Sequence, residues 1–179
     1  LNAINGITYL LLQEKPKVSQ LNYLKSLEFS GNYLLNFIND ILEINRLESD
    51  KVVLEKINFN LPELTENIVT SFKEFIHENN IKCHLHIDKS IDFNLKGDPT
   101  KLSQILINLL NNAIKFSKNG DVWCTIKKRE ETAENVTLYF EIKDNGIGIP
   151  KDKQDAIFDS FSQGSVEINR IYGGTGLGL

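Results

Sequence analysis

The chain has 179 residues, 41% hydrophobic and 25% charged, a composition typical of a soluble globular protein that is long enough to bury a core. Its formal net charge is −4 and its lysines form no basic stripe, which argues against nucleic-acid binding. It has no apolar run of the roughly 18 residues that a membrane span needs, so we expect any membrane anchor to lie outside residues 1–179. Cys83 and Cys124 lack metal-ligand spacing, so we expect both to be free, buried cysteines, which fits a cytoplasmic setting.

The first fifty residues predict a helical hairpin. One helix extends to about Gln13, a Lys-Pro-Lys segment at 15–17 breaks it, and a second helix runs from Ser19, its predicted N-cap, to about Glu48. The second helix has an apolar face too wide for a helix that stands alone in water. Because two helices bury little apolar surface, we expect the hairpin to form a four-helix bundle with a second copy of the chain. The alternative is a hairpin packed on its own downstream domain.

After residue 50 the pattern changes to alternating strands and helices, which predicts a sheet with helices on one face. The predicted strands are Val52–Asn60, Ile81–Asp88, Asp121–Arg129 and Val136–Lys143, the last two forming an antiparallel hairpin. The predicted helices are Leu61–Asn79, Pro99–Ser117 with Asp98 as its N-cap, and the short Lys153–Phe161. The predicted fold class is therefore α+β, a helical hairpin at 1–50 followed by an α/β domain at 51–179.

Helix 99–117 carries polar residues on one face. Asn108 and Asn112 lie four residues apart, and Lys115 follows at the next turn of the same face. Amide oxygens can coordinate Mg²⁺, which takes only one or two protein ligands when phosphates and water complete its shell. The alternative is a solvated face with two exposed asparagines. The stripe predicted to be buried comprises Leu102, Ile105, Leu106, Leu109, Leu110, Ala113 and Ile114.

Two glycine-rich segments follow. In the segment 144–150, Gly146 and Gly148 permit a close approach of a ligand to the backbone, and Asp144 at the strand end could accept a hydrogen bond from an exocyclic amine. The segment 173–179 is neither a Walker A loop nor a convincing dinucleotide fingerprint. Its free amides could still cradle phosphates, although by itself such a run is ambiguous with a linker.

Four segments, in this order, resemble the sensor histidine kinases of two-component systems. Residues 106–116 resemble the N box of that family, 144–150 the first glycine box, 157–161 the F box and 173–179 the second glycine box. Residues 98–106 resemble the usual lead-in, and Leu1 to Ile4 are similar to the end of the H box and the residues just after it. The resemblance covers nearly the whole chain. It implies a dimerising helical hairpin followed by the α/β sandwich of the histidine kinase, gyrase and heat-shock ATPase superfamily.

The same resemblance implies that the chain binds ATP and Mg²⁺. It makes Asn112 the metal ligand, places Asn108 and Lys115 at the phosphates, and assigns the adenine amine to Asp144. Around the base it places Gly146, Gly148 and Ile149; Phe158 and Phe161 would anchor a mobile segment at 162–172 in which Arg170 meets phosphate. The second glycine box would contribute Gly174, Thr175, Gly176, Leu177 and Gly178 on the phosphate side.

The implied activity is that of an ATP-dependent protein histidine kinase, which transfers the γ-phosphate to a histidine and then to an aspartate of a response-regulator receiver domain. ATP-hydrolysing members of the superfamily carry a glutamate where this chain has Asn108, which cannot act as a general base and therefore favours transfer to protein. The alternative is a degenerate, non-catalytic module for dimerisation and partner docking.

The phosphoacceptor histidine is expected a few residues before Leu1, and a further helix and two strands are expected after Leu179. His77, His84 and His86 are predicted to face solvent, and none has the sequence surroundings of a phosphoacceptor. We therefore expect that residues 1–179 alone do not autophosphorylate.

Overall fold

The computed structural model describes residues 1–48 and 53–158 and divides the chain into two compact units, Leu1–Val52 and Val53–Leu179. The first unit is a hairpin of helix α1 (Asn2–Gln13) and helix α2 (Val18–Glu48), as predicted. A polar contact joins the two helices, because the Asn5 amide donates to Oδ1 of Asn32 over 2.8 Å and Gly31 leaves room for it. Among the described residues, no helix combines the length and the apolar composition needed to cross a membrane.

Helix α2 begins before the predicted position. Its first residue is Val18, so Ser19 lies inside the first turn and is not the N-cap. The backbone N–H of Lys17 donates to Oε1 of Gln20 over 3.1 Å. A glutamine that reaches back to the residue before the helix forms half of a capping box, and this replaces the expected serine cap.

The hairpin leaves two apolar stripes uncovered in a single chain. On α1, Ile4, Ile7 and Leu11 are 43–59% exposed, and on α2, Leu27, Leu34 and Ile38 are 40–46% exposed. Within each helix the spacings of three, four and seven residues place these side chains on one face. Contiguous exposed apolar surface of this kind marks an interaction site.

The second unit alternates strands and helices, as the sequence predicts. Its elements are β1 (Ile57–Phe59), α3 (Leu61–Ser71), α4 (Lys73–Glu78), β2 (Lys82–Ile87), β3 (Leu95–Gly97), α5 (Pro99–Phe116), β4 (Asp121–Glu131) and β5 (Val136–Asp144). Two single turns of 3₁₀ helix follow, Lys151–Lys153 and Ala156–Phe158.

The main sheet has the strand order β2–β4–β5. Strands β4 and β5 form the predicted antiparallel hairpin, while β2 runs parallel to β4 and is connected to it through α5. A separate antiparallel pair joins β1 to β3. One face of the sheet is buried against the helices, with Val122 and Cys124 packing in the same core as Leu106, Leu110 and Ile114 of α5, and Ile126 packing in a second cluster with Leu61 and Ile91. Helix α5 therefore packs against β4 and β5, and this contact sets the geometry of the candidate site.

Three predicted elements differ from the structure. The strand predicted at Val52–Asn60 is only Ile57–Phe59 within the described residues 53–60, because pairing requires a partner and β3, which was predicted as loop, offers only three residues. Val52 lies outside the described residues. The helix predicted at Leu61–Asn79 is interrupted at Phe72, whose N–H bonds to Val69 while the Ser71 hydroxyl donates to the backbone carbonyl of Ile68. The helix predicted at Lys153–Phe161 is two 3₁₀ turns, and its last three residues lie outside the described range.

The exposed face of the sheet corrects the prediction for one histidine. His77 and His86 are exposed, as predicted, whereas His84 is half-buried and stacks on Trp123 with ring centroids 5.5 Å apart. Its Nε2 lies 2.8 Å from Oδ1 of Asp121, and this hydrogen bond lowers the pKa of the aspartate. Trp123 lies directly opposite His84 on the neighbouring strand. The alternation of polar and apolar residues within one strand does not show which residue lies opposite, so it did not predict this contact.

Both cysteines are free, as predicted. Cys124 is buried in the core, and its burial raises the pKa of the thiol to about 11. Cys83 is half-buried, and burial raises its pKa as well. A thiol with a raised pKa is a poor nucleophile and metal ligand, so both behave as apolar core residues.

Candidate functional site

Helix α5 supplies the polar face of the candidate site and begins at a well-formed cap. Oδ1 of Asp98 accepts the N–H of Lys101 over 2.9 Å, and Oδ2 accepts the N–H of Glu55 over 3.1 Å. These backbone hydrogen bonds lower the pKa of Asp98, so the cap remains a carboxylate. Because one side of the helix is buried against the sheet, the opposite side faces outward.

That outward side presents the predicted asparagines. Asn108 is exposed and Asn112 is half-buried, and neither side-chain amide has a hydrogen-bond partner within residues 53–158. The half-buried Lys115 ammonium lies 5.0 Å from the centre of the Phe116 ring, and burial lowers its pKa. This face can therefore offer amide oxygens, amide N–H groups and a cation to a ligand.

Ile105 belongs to the same face and was predicted wrongly as a core residue. It is 56% exposed, because it lies three residues before Asn108 and seven before Asn112, spacings that place it on their side of the helix. Leu106, Leu110, Ala113 and Ile114 are buried as predicted.

The loop after β5 is fastened to the end of α5 and to the start of β4. The N–H of Ile147 donates to the carbonyl of Phe116 over 3.3 Å. Asn145 pairs with Asp121 twice, since its side-chain Oδ1 accepts the Asp121 N–H over 2.7 Å and its own N–H donates to the Asp121 carbonyl over 3.3 Å. The loop is thus hydrogen-bonded to neighbouring elements at two residues, Asn145 and Ile147.

Gly146 lies between these anchors where no side chain fits. A Cβ at this position would collide with the carbonyl group of Phe116 and crowd the hydroxyl of Ser117. Gly148 is different, because it has open space around it but a φ of +67°, a conformation that costs other residues free energy. The two glycines of this loop are therefore required for separate reasons, the first for close packing and the second for backbone conformation.

Asp144 ends β5 with one carboxylate oxygen fixed. Its Oδ1 accepts the N–H of Gly146 over 2.9 Å and the hydroxyl of Ser117 over 3.2 Å. Oδ2 accepts no hydrogen bond from any described residue, and the side chain is exposed. One oxygen therefore orients the group, and the other is available to a ligand.

Three contributors to this arrangement were missed by sequence reasoning. Ser117 was predicted as the last residue of a helix, and Asn145 only as part of the glycine-rich segment 144–150. Phe116 was predicted only as the end of segment 106–116, although its backbone carbonyl accepts the N–H of Ile147. The asparagine after a strand end was a usable signal, because asparagine side chains readily bond to nearby backbone groups.

Several predicted site residues are not brought together by the described structure. Ile149 and Phe158 are exposed in the segment after β5. Phe161, Arg170, Gly174, Thr175, Gly176, Leu177 and Gly178 lie outside the described residues. Within 1–48 and 53–158 there is no group of three or more His, Cys, Asp or Glu side chains able to hold a metal ion.

Comparison with known proteins agrees with this arrangement. Residues 97–179 match the family described as histidine kinase-, DNA gyrase B- and HSP90-like ATPase. The signal transduction histidine-protein kinase BarA of Escherichia coli K12 is 38% identical over 179 residues, which are 100% of this chain and 20% of BarA. The chain therefore spans about a fifth of the length of this relative.

Solved structures give the same result. Full-length ShkA in complex with AMPPNP has a TM-score of 0.77 and 27% identity, covering 99% of this chain and 35% of that one. The nucleotide-free catalytic domain of the histidine kinase ThkA is 30% identical with a TM-score of 0.56, covering 70% of this chain and 75% of that one. ThkA in complex with the response regulator TrrA has a TM-score of 0.62 and 26% identity, covering 94% and 49%.

Proposed function

This chain belongs to the sensor histidine kinases, and on that premise we propose that its second unit binds ATP with Mg²⁺ and donates the γ-phosphate to a histidine. The observation that carries the proposal is a carboxylate at Asp144 with one oxygen fixed and the other available, on an element next to Asn108 and Asn112, whose side-chain amides have no hydrogen-bond partner within residues 53–158. A nucleotide requires an acceptor that binds the base and a nearby face that binds the metal and the phosphates. Here the two would lie on adjoining elements.

Asp144 would read the base. Its available Oδ2 would accept a hydrogen bond from the exocyclic amine of adenine, whereas the carbonyl oxygen that guanine presents at that position has no proton to donate to it. A hydrogen bond to a charged group is worth more than one between neutral groups, so one carboxylate can supply much of the base preference.

Asn112 would be the protein ligand of Mg²⁺. The residues fit this ion, because a half-buried amide without a partner among the described residues offers a hard oxygen, and Mg²⁺ accepts phosphate and water oxygens for its other positions. When bound, Mg²⁺ would neutralise charge that develops on the phosphates. Asn108 and Lys115 would meet phosphate oxygens from the same helix face.

The reaction proposed is transfer rather than hydrolysis. The attacking histidine nitrogen would form a bond to the γ-phosphorus as the bond to the ADP oxygen breaks, with this chain's residues holding the phosphates in line. Asn108 cannot remove a proton from water, which disfavours hydrolysis at this site. The phosphate would then pass to a response-regulator aspartate; ThkA, a related kinase, is known in complex with the response regulator TrrA.

We expect Asp144→Ala to weaken ATP binding by about 10- to 100-fold, corresponding to about 1.5–3 kcal/mol for a hydrogen bond to a charged group, while GTP binding changes little. Calorimetric titration of the full chain with each nucleotide in the presence of Mg²⁺ measures both. Asp152→Ala is the matched control, since it removes an exposed carboxylate from the same segment without touching the site. A variant that keeps the ATP-over-GTP preference would contradict the base-reading role, and a parent chain that binds no ATP would favour the non-catalytic docking module.

We propose that residues 1–50 form the dimerisation hairpin and residues 51–179 the ATP-binding domain. The uncovered stripes on α1 and α2 support this division, since a second copy can bury both in a four-helix bundle. Homodimers with self-complementary faces are the commonest soluble assemblies.

Light scattering coupled to size exclusion is therefore expected to give twice the mass of one chain. Leu34→Glu should weaken the dimer by at least about tenfold, because it would bury an unpaired charge in the stripe. Val18→Glu is the control, since Val18 is 87% exposed at the opposite side of α2 and a glutamate is favourable at a helix N-terminus. A monomeric parent chain would support instead a hairpin packed on its own downstream domain.

A further inference from the structure

Ser117 is a buried polar residue that contacts Asp144 but has no part in the function proposed above. It is 1% exposed and follows the last residue of α5. Its hydroxyl donates to Oδ1 of Asp144, 27 residues further along the chain, over 3.2 Å. A buried hydroxyl is costly unless it is hydrogen-bonded, and within the described residues its bond to Asp144 meets that need.

We propose that Ser117 is a positioning residue for Asp144 and thereby sets the adenine selectivity of the nucleotide site; this inference rests on the proposed function. A carboxylate at the end of a strand can rotate about its last bond, and rotation exchanges its two oxygens. Donors from Ser117 and Gly146 converge on the same oxygen, Oδ1, and so fix the direction of Oδ2. A preorganised acceptor discriminates between an amine and a carbonyl better than a rotating one.

The surrounding anchors separate this positioning role from a merely structural one. Asn145 is bonded twice to Asp121, and Ile147 is bonded to Phe116, all without the Ser117 hydroxyl. Removal of the hydroxyl therefore leaves the loop backbone fastened on β4 and α5. The carboxylate of Asp144 loses one of its two donors, and its orientation is what changes.

The test measures ATP and GTP affinities of the full chain by calorimetry, in the presence of Mg²⁺, for Ser117→Ala, Asp144→Ala and the double variant. We expect Ser117→Ala to weaken ATP binding by about fivefold and to leave GTP binding unchanged, because one of two donors to the carboxylate is lost. We expect the double variant to match Asp144→Ala, since a residue that acts through another adds nothing once the other is gone.

Ser103→Ala is the matched control. Ser103 lies on the same helix and donates its hydroxyl to the carbonyl of Pro99 over 2.7 Å, away from Asp144, so its removal should leave the ATP-to-GTP ratio unchanged. A general loss of folded protein would weaken both nucleotides equally and would not move that ratio.

Two results would overturn the inference in different ways. If Ser117→Ala keeps the parent ratio while Asp144→Ala loses it, or if the two effects are additive, Ser117 does not act through Asp144 and the proposed function stands. If Asp144→Ala itself keeps the ratio, the base-reading role fails and the inference fails with it.

Discussion

Asn112→Ala is expected to abolish Mg²⁺-dependent ATP binding, with a loss of at least about 100-fold in affinity, because Mg²⁺ in this kind of site has few protein ligands to share the loss. Asn112 is half-buried on the outward face of α5, and its amide has no partner within residues 53–158. The substitution therefore breaks no hydrogen bond that the described structure contains. A large loss of ATP affinity would then come from the missing Mg²⁺ ligand and not from a disturbed fold.

Asn111→Ala is the matched control for Asn112→Ala. Asn111 is the adjacent asparagine on the same helix, exposed and without a side-chain hydrogen bond among the described residues, and it was not assigned to the metal. The ATP affinities measured with and without chelator should be the same for Asn112→Ala, whereas they should differ for Asn111→Ala and for the parent chain. If Asn112→Ala retained the parent's dependence on Mg²⁺, Asn112 would not be the metal ligand.

Gly146→Ala is expected to displace the loop that follows Asp144, the residue proposed to bind the base, and to weaken ATP binding by about 10- to 100-fold, since overpacking of this kind costs about 1–3 kcal/mol. The added methyl group would collide with the carbonyl of Phe116, which belongs to the end of a packed helix and cannot easily move. The loop would have to give way, and the hydrogen bond from Gly146 to Oδ1 of Asp144 would go with it.

Gly148→Ala distinguishes this clash from ordinary backbone strain. Gly148 has a φ of +67° and no neighbour that an added Cβ would meet, so alanine there costs about 1–2 kcal/mol of conformational strain without a collision. We expect it to lower the melting temperature slightly and to weaken ATP binding less than Gly146→Ala does. Equal effects on ATP affinity would mean that the close approach to Phe116 is unimportant for binding.

Much of the fold could be predicted from local patterns. The two helices of the hairpin, the Asp98 cap of α5 and the antiparallel pair β4–β5 lie close to their predicted positions, because periodicity, capping residues and turn signals act over a few residues. Two of the errors have a common cause. Strand β1 and the contacts of His84 both depend on what lies opposite in the sheet, which a local pattern does not contain.

The candidate site divides in the same way. Asn108, Asn112 and Lys115 share one helix face as predicted, because their spacing alone decides that. Ile105 lies on the same face and is exposed, although its apolar side chain led to the prediction that it is buried. The roles assigned to Phe161, Arg170 and the second glycine box lie outside the described residues and stay predictions. The metal and base roles of Asn112 and Asp144 also stay predictions until binding is measured.

Residue identity and spacing by themselves determined the element types, the family resemblance and the polar face of α5. Only the tertiary structure decided that Asp144 meets Ser117 across 27 residues, that Asn145 is bonded to Asp121, and that Gly146 touches the end of a helix. Those contacts exist because β4 lies between β2 and β5 and its buried face holds α5 against the sheet. The orientation of one carboxylate therefore depends on strand register and helix packing, which are non-local and leave no mark in the spacing of residues along the chain.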